Sequence, residues 1–286
     1  MPKVGLVVDS TCDMTVEELA ALDVELAPLR VTFGSKTYLD AVEMTSPEFY
    51  RELAQAEELP KTSQPSPQQF SECFDRLIAK GCDSIVSLSL SSAISGTYQT
   101  STIVAKDYDI PIYCIDTKNV THGLSTLVLA ACKLRESGMG GKELADSIQK
   151  IALKTQLLFV IYSMDNLVKG GRAGRSVGLA ASLLDIKPIL TLDETGVIAP
   201  FKKCKGKKKA VQELAKYVAQ CSREDGPLNY TLINTTEPDD IPMLREAFEQ
   251  AGVVGTEIHQ GSNGAVIGTY VPEACGVAFY PQNWND

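Results

Sequence analysis

The sequence predicts an α/β protein of two domains, with an N-terminal, mostly parallel, doubly wound sheet over residues 1–160 and a C-terminal α+β domain with a mixed sheet over residues 161–286. Three observations carry this. Apolar strand-like runs alternate with capped helical patterns through the first 160 residues, the pattern of parallel sheets with helices on both faces. After Met164 the texture turns rich in Gly and Arg and then offers a hairpin. A chain of 286 residues buries enough surface for one large core or two smaller ones without disulfides or metal.

The elements follow in order. Residues 4–8 form a continuous β-branched run of the kind found in strands covered on both faces. The run stops at Asp9-Ser10-Thr11-Cys12-Asp13, and Thr15 then caps a helix carrying Glu17 and Glu18 in its first turn. Residues 24–31 read as a second strand. Ser46 and Pro47 open a helix through Gln55, with Ser46 as N-cap and Pro47 at the first helical position. Ser66 and Pro67 repeat the signal for a helix whose apolar face is Phe70, Phe74, Leu77 and Ile78. Residues 84–90 alternate with period two and lead through residues 91–98 into a helix that continues through Val104. Residues 110–115 read as a strand closing at Asp116-Thr117, residues 123–136 as an apolar helix and residues 142–155 as an amphipathic one, with a glycine stop between them. Residues 157–161 supply the last strand of this alternation. In the second half, residues 189–192 and 197–203 read as a hairpin and residues 207–221 and 241–251 as helices. Residues 228–234, 265–270 and 277–280 read as strands.

Composition narrows the function classes. At 44% hydrophobic and 22% charged residues, the chain is neither disordered, collagenous nor a coiled coil. The eight cysteines show no CxxC and no zinc-type spacing and read as free thiols. With no leader pattern and no apolar run near membrane-spanning length, the expected location is the cytoplasm. Two histidines, His122 and His259, leave little room for a histidine metal site or a histidine-driven hydrolase, and no metal or cofactor is expected. Charge is segregated: residues 1–165 carry a net −8, residues 166–221 a net +7 and residues 222–286 a net −8. Six lysines fall within residues 202–209, yet the lack of interleaved aromatics beyond Phe201 and a pI near 4.9 argue against nucleic acid. A solvated face or a partner-docking patch explains them.

The chemistry sits in hydroxyl-bearing loops. Ligands of open parallel sheets bind beyond the carboxyl ends of the strands. There Ser92, Ser95 and Thr97 supply hydroxyls, Gly96 lets the backbone approach closely, and the following helix offers unpaired N–H groups. This describes an anion site that phosphate, sulfate or carboxylate would satisfy equally, and a purely local capping loop uses the same residues. Thr62 and Ser63, from a different loop, meet the same anion if the two helix starts lie side by side. Residues 170–175 lack the spacing of a nucleotide-binding P-loop.

Several motifs occur together and in order: Asp9-Ser10, Thr62-Ser63-Gln64-Pro65-Ser66-Pro67, Ser91-Ser92-Ala93-Ile94-Ser95-Gly96-Thr97, Lys169-Gly170-Gly171-Arg172, Asp185-Ile186-Lys187-Pro188, and Lys203-Cys204-Lys205-Gly206. In this order and spacing, across essentially the whole chain, they resemble the bacterial DegV family. The resemblance implies two α/β domains holding a long-chain fatty acid such as palmitate (hexadecanoate) between them. It also implies, for some members, a role as the acid-carrying subunit of fatty acid kinase, presenting the carboxylate to a separate ATP-binding subunit. By position, Thr62 and Ser95 match the residues that hold the carboxylate. One departure stands out: where the family typically has a histidine in a GTHxGPG-like stretch, this chain has Tyr270. A phenol donates a hydrogen bond but offers no positive charge near neutral pH. Neutral donors in place of an arginine fork would leave the carboxylate reachable by a kinase. Lys169 and Arg172 read as contacts to that kinase or to an incoming phosphate, or as solvated charge. The leading expectation is therefore a non-enzymatic fatty-acid carrier. The alternatives are an enzyme acting on a small phosphorylated or carboxylated metabolite, and an interaction protein docking through the lysine run.

Overall fold

The computed structural model describes residues 2–182 and 186–285, with side chains given for 2–178 and 186–285. Asp185 of the Asp185-Ile186-Lys187-Pro188 motif lies outside the described residues. The first half contains β1 (Val4–Asp9), α1 (Val16–Ala21), β2 (Val24–Ala27), β3 (Arg30–Phe33), β4 (Lys36–Leu39), α2 (Ser46–Leu53) and β5 (Lys61–Ser63). It continues with α3 (Pro67–Ala79), β6 (Ser84–Ser89), α4 (Thr97–Ala105), β7 (Ile112–Asp116), α5 (His122–Glu136) and α6 (Gly141–Lys154). The second half contains β8 (Gln156–Ile161), α7 (Asp165–Lys169), β9 (Ile186–Leu192), β10 (Ile198–Lys205), α8 (Lys207–Glu224), β11 (Leu228–Asn234), α9 (Asp240–Ala251), β12 (Gly255–Ser262), α10 (Ala265–Tyr270) and β13 (Ala274–Pro281).

Four parallel strands in the order β2-β1-β6-β7 form the first sheet. A six-stranded mixed sheet runs β10-β9-β8-β13-β11-β12, antiparallel except where β11 meets β12. A small antiparallel sheet, β4-β3-β5, stands beside them. All six residues of β1 and of β6 are buried. The serines of β6 alternate with apolar residues yet face no solvent, because helices cover both faces, and Ser87 shares a 2.9 Å hydrogen bond with Ser101 of α4.

The layers are α3 and α4, the parallel sheet, α5 and α6, the mixed sheet, then α8 and α9. One apolar cluster runs from Leu6 and Leu88 of the parallel sheet through Leu124 and Leu127 of α5 to Leu157 and Ala278 of the mixed sheet. This central place explains why α5 is apolar on nearly every side. A second cluster seats α8 and α9 on the far face of the mixed sheet. Leu127 is fully buried between the two sheets, so Leu127→Ala is expected to cost about 2–5 kcal/mol in urea unfolding. A loss below about 1 kcal/mol would mean that the two sheets do not share a core.

The Thr15 and Ser66 caps form as expected, each as a reciprocal box with the residue three positions on. Four local expectations are corrected, and one strand goes unread in the sequence. Residues 24–31 are two strands in different sheets, interrupted at Pro28, which has no N–H for a ladder. The helix at residue 46 is capped by Thr45, reciprocally with Glu48. The strand at 156–161 pairs with β9 and β13 in the mixed sheet, because an all-apolar strand reads identically in either sheet and its partners are chosen over long range. Residues 265–270 are a helix, since a short apolar run carries no decisive period. Strand β12, polar and at the sheet edge, carried no apolar signal.

Candidate functional site

A cavity of about 300 Å³ lies between the carboxyl ends of the parallel strands and the inner face of the mixed sheet. Leu29 follows β2, Leu90 follows β6 and Val120 follows β7, and all three line it, as expected for the end of a parallel sheet where ligands bind. Leu157 and Phe159 of β8, Ile233 of β11 and Val266 and Ile267 of α10 form the opposite wall, each at most 9% exposed. The size falls at the lower end of small-molecule pockets, and the apolar lining matches their usual chemistry.

Polar groups gather in a few places. Thr62 of β5 and Tyr270 of α10 line the cavity, and their hydroxyl oxygens are 2.5 Å apart. Ser95 lines it too, 2.8 Å from the Thr97 hydroxyl, and accepts a 3.3 Å hydrogen bond from the Thr97 amide. In each pair one hydroxyl proton satisfies the other oxygen, which leaves a second proton for an anion. The strand bearing Thr62 and the turn bearing Ser95 adjoin. Gln64 bonds Thr100 at 2.7 Å, and a Cβ on Gly96 would stand 2.2 Å from the Gln64 carbonyl oxygen. The close backbone approach expected of Gly96 is therefore real, toward a neighbouring side chain.

The structure divides the sequence-predicted residues. Thr62, Ser63, Ser95, Gly96 and Tyr270 all line the cavity. Thr97 is buried behind Ser95 and orients it. Ser92 is taken elsewhere: its hydroxyl and amide bond the Asp116 carboxylate at 2.5 and 3.0 Å, closing one strand end on the next, and it is absent from the cavity wall. Lys169 is exposed and outside the wall. Arg172, expected to meet a partner kinase or an incoming phosphate or to be solvated, is exposed and also lines the cavity, with its guanidinium 5.2 Å from the centroid of the Tyr270 ring. A permanent cation therefore stands beside the Tyr270 phenol in the cavity wall.

The Lys169-Gly170-Gly171-Arg172 motif acquires a physical reason. A Cβ on Gly170 would stand 2.4 Å from two Tyr270 ring carbons, and Gly171 has φ +70°, in the left-handed region. The Gly170 carbonyl accepts a 2.7 Å hydrogen bond from Arg172. Gly170→Ala is expected to displace the Tyr270 ring and weaken anion binding severalfold while leaving the unfolding midpoint within a few degrees. Unchanged anion affinity would show that the ring's seat does not matter. Sequence reasoning missed Thr121 and Asn263, whose polar side chains carried no motif, and quoted Gln64 within its motif without giving it a place in the site. Thr121 donates a 2.8 Å hydrogen bond to Asn263, so this part of the wall is internally satisfied.

The lysine run lies on β10 and the start of α8. Lys202 and Lys209 pair with Glu213 at 2.7 and 3.1 Å, and Lys207 pairs with the buried Asp240. Among the described residues no group of His, Cys, Asp and Glu is arranged to hold a metal ion, and no helix is long and apolar enough to cross a membrane. All eight cysteines are free.

Comparison with known proteins places this architecture. The DegV family profile matches residues 3–282. The chain belongs to the DegV family. A DegV domain-containing protein of Clostridium acetobutylicum is 34% identical over 98% of this chain and 99% of its own. Another from Halalkalibacterium halodurans is 31% identical over 98% and 99%. Among solved structures, a fatty-acid-binding DegV family protein of Thermus thermophilus superposes with a TM-score of 0.91 at 27% identity, covering 98% of this chain and 99% of that one. A fatty-acid-binding DegV protein of Streptococcus agalactiae gives 0.89 at 28% identity, covering 99% and 100%. The mixed α/β architecture with separate parallel and mixed sheets is therefore the DegV fold.

Proposed function

We propose that this DegV protein binds a long-chain fatty acid non-covalently in the cavity and acts as its carrier. The carboxylate meets Thr62, Ser95, Tyr270 and Arg172, and the chain lies along the apolar wall. The observation that supports this most is the pairing of one apolar cavity with the Thr62 and Tyr270 hydroxyls, the Ser95 hydroxyl backed by Thr97, and a guanidinium in its lining. The fatty-acid binding of the Thermus and Streptococcus relatives supports it further.

The physics divides the work between tail and head. A palmitate-length acid has about fourteen methylenes, and burial at about 0.8 kcal/mol each offers about 11 kcal/mol before association costs. The tail therefore sets affinity. A desolvated carboxylate costs several kcal/mol unless its lone pairs are met, and charge-assisted hydrogen bonds from Thr62, Ser95 and Arg172 meet them. The head therefore sets orientation.

Arg172 is exposed as well as cavity-lining, and Lys169 lies three residues before it on the same exposed segment. In this reading they also face a partner, an ATP-dependent fatty acid kinase subunit that phosphorylates the presented carboxylate. Denaturing the purified protein and running mass spectrometry on the organic extract tests the carrier. A long-chain acid near one per chain supports it, and folded protein that carries none and takes up no added palmitate overturns it. Acyl phosphate formed from the loaded protein, ATP and a kinase subunit, and reduced in Arg172→Ala, would support the partner role.

A further inference from the structure

The Asp9-Ser10 segment is not consumed by the cavity, yet its side chains lead to it. Asp9 and Ser10 are wholly buried, as is Asp40 from the end of β4. The Asp9 carboxylate accepts hydrogen bonds from the amide of Leu90 at 2.7 Å and from the amide and hydroxyl of Thr11 at 3.0 and 2.5 Å. The Asp40 carboxylate accepts from the amide of Ala265 at 3.1 Å and from the Ser10 hydroxyl at 2.7 Å, and the Val266 amide also points to it. Ser10 in turn accepts from the amide of Leu29 at 3.0 Å. Leu29, Leu90 and Val266 are all cavity-wall residues. They come from three distant parts of the chain, and Leu90 and Val266 begin the segments that carry Ser95 and Tyr270.

We infer that Asp9 and Asp40 are positioning residues for the fatty-acid site, tethering through backbone amides the two wall segments on which Ser95 and Tyr270 are mounted. This rests on the proposed carrier function. A carboxylate is suited to the task because its two oxygens accept several N–H and O–H donors at once, whereas an amide offers one acceptor oxygen. Three acids crowd here, since Asp13 faces Thr121 and Gly264 at the start of α10 beside Asp9 and Asp40. The Cys12 thiol and the Tyr50 phenol also face them, both pushed up by burial and by these acids, and Glu17, Glu18 and His259 line the same cleft as Asp13 and Asp40. Burial raises Asp9 and Asp40 to about 6 against the hydrogen bonds that pull them down, and Asp13 well above the usual carboxylate range. Acids raised by folding hold more protons in the folded chain between their ordinary range and about pH 6, so their contribution to stability falls as pH rises through that window. Their tethering runs the other way, because only the ionised carboxylate accepts the full set of donors. His122, buried and lowered to about 3, titrates over an overlapping range with the opposite effect on stability, so the test compares variants rather than one pH profile.

Palmitate affinity is measured for the wild-type protein, Asp40→Asn, Asp9→Asn and Ser10→Ala between pH 5 and 7.5, with folding monitored by circular dichroism. At pH 7.5 folded Asp40→Asn is expected to bind about tenfold more weakly than wild type. The gap is expected to close toward pH 5, where the wild-type carboxyl is itself protonated. A merely structural loss would leave the ratio constant with pH. Wild-type affinity in folded Asp40→Asn at pH 7.5, or a loss that does not change with pH, overturns the inference. Should the aspartate variants not fold, Ser10→Ala decides, because it removes the hydroxyl donor that fixes the Asp40 carboxylate together with the acceptor of the Leu29 amide: a severalfold loss supports the tether and no loss overturns it. Failure of the carrier reading shows separately, as a wild-type protein that binds no palmitate.

Discussion

Thr62→Ala and Ser95→Ala are each expected to weaken palmitate binding by about tenfold or more, since a hydrogen bond to a charged group contributes about 1.5–3 kcal/mol. Each removes one of the two hydroxyl pairs in the wall, Thr62 with Tyr270 at 2.5 Å and Ser95 with Thr97 at 2.8 Å. The surviving phenol or threonine keeps its oxygen but loses the neighbour that fixed its proton. Both sites are only partly buried, so the fold should persist and the loss should fall on the ligand. Titration of delipidated protein with palmitate measures it. The corresponding fatty alcohol, which lacks the charge, should show a much smaller difference between wild type and variants. Wild-type affinity for the acid in both variants would remove the carboxylate from this end of the cavity.

Filling the cavity from its apolar lining should have a larger effect. Ala274 is 2% exposed, lines the cavity and has both backbone groups bonded to the Thr235 hydroxyl, its amide at 2.9 Å and its carbonyl at 3.2 Å. Ala274→Phe projects a ring into space of about 300 Å³. Denying burial to about five methylenes at about 0.8 kcal/mol each removes about 4 kcal/mol, or about a thousandfold in palmitate affinity. An acid of eight to ten carbons should lose far less. The unfolding midpoint should stay near wild type, because the ring fills existing space rather than forcing neighbours apart. Undiminished palmitate binding in the folded variant would show that the acyl chain does not occupy this cavity.

The two effects separate the roles of the walls. Thr62 and Ser95 act on the charged end, with a loss that depends on the ligand's headgroup. Ala274 acts on the tail, with a loss that depends on chain length. A carrier reading requires both dependences. An enzyme for a small carboxylated metabolite would show only the first.

Sequence by itself determined most of the local elements and the two hydroxyl segments. Capping boxes at Thr15 and Ser66, the apolar runs of β1 and β8 and the all-round apolarity of α5 are signals of near neighbours along the chain, and each reads correctly as helix or strand. The motif order likewise placed the chain in its family. Tertiary structure alone decided which sheet receives β8, that residues 265–270 coil rather than extend, and that Ser92 serves Asp116 while Arg172 turns onto Tyr270. It alone also disclosed the cavity wall and the carboxylates of Asp9 and Asp40 behind it. The reason is one of range. A cap or a period is fixed within a few residues, whereas a cavity wall is assembled from residues that share no periodicity because they are far apart in the chain. Among such partners, a serine, an aspartate or an arginine has several hydrogen-bonding choices of similar local energy, and only the packed surroundings select one.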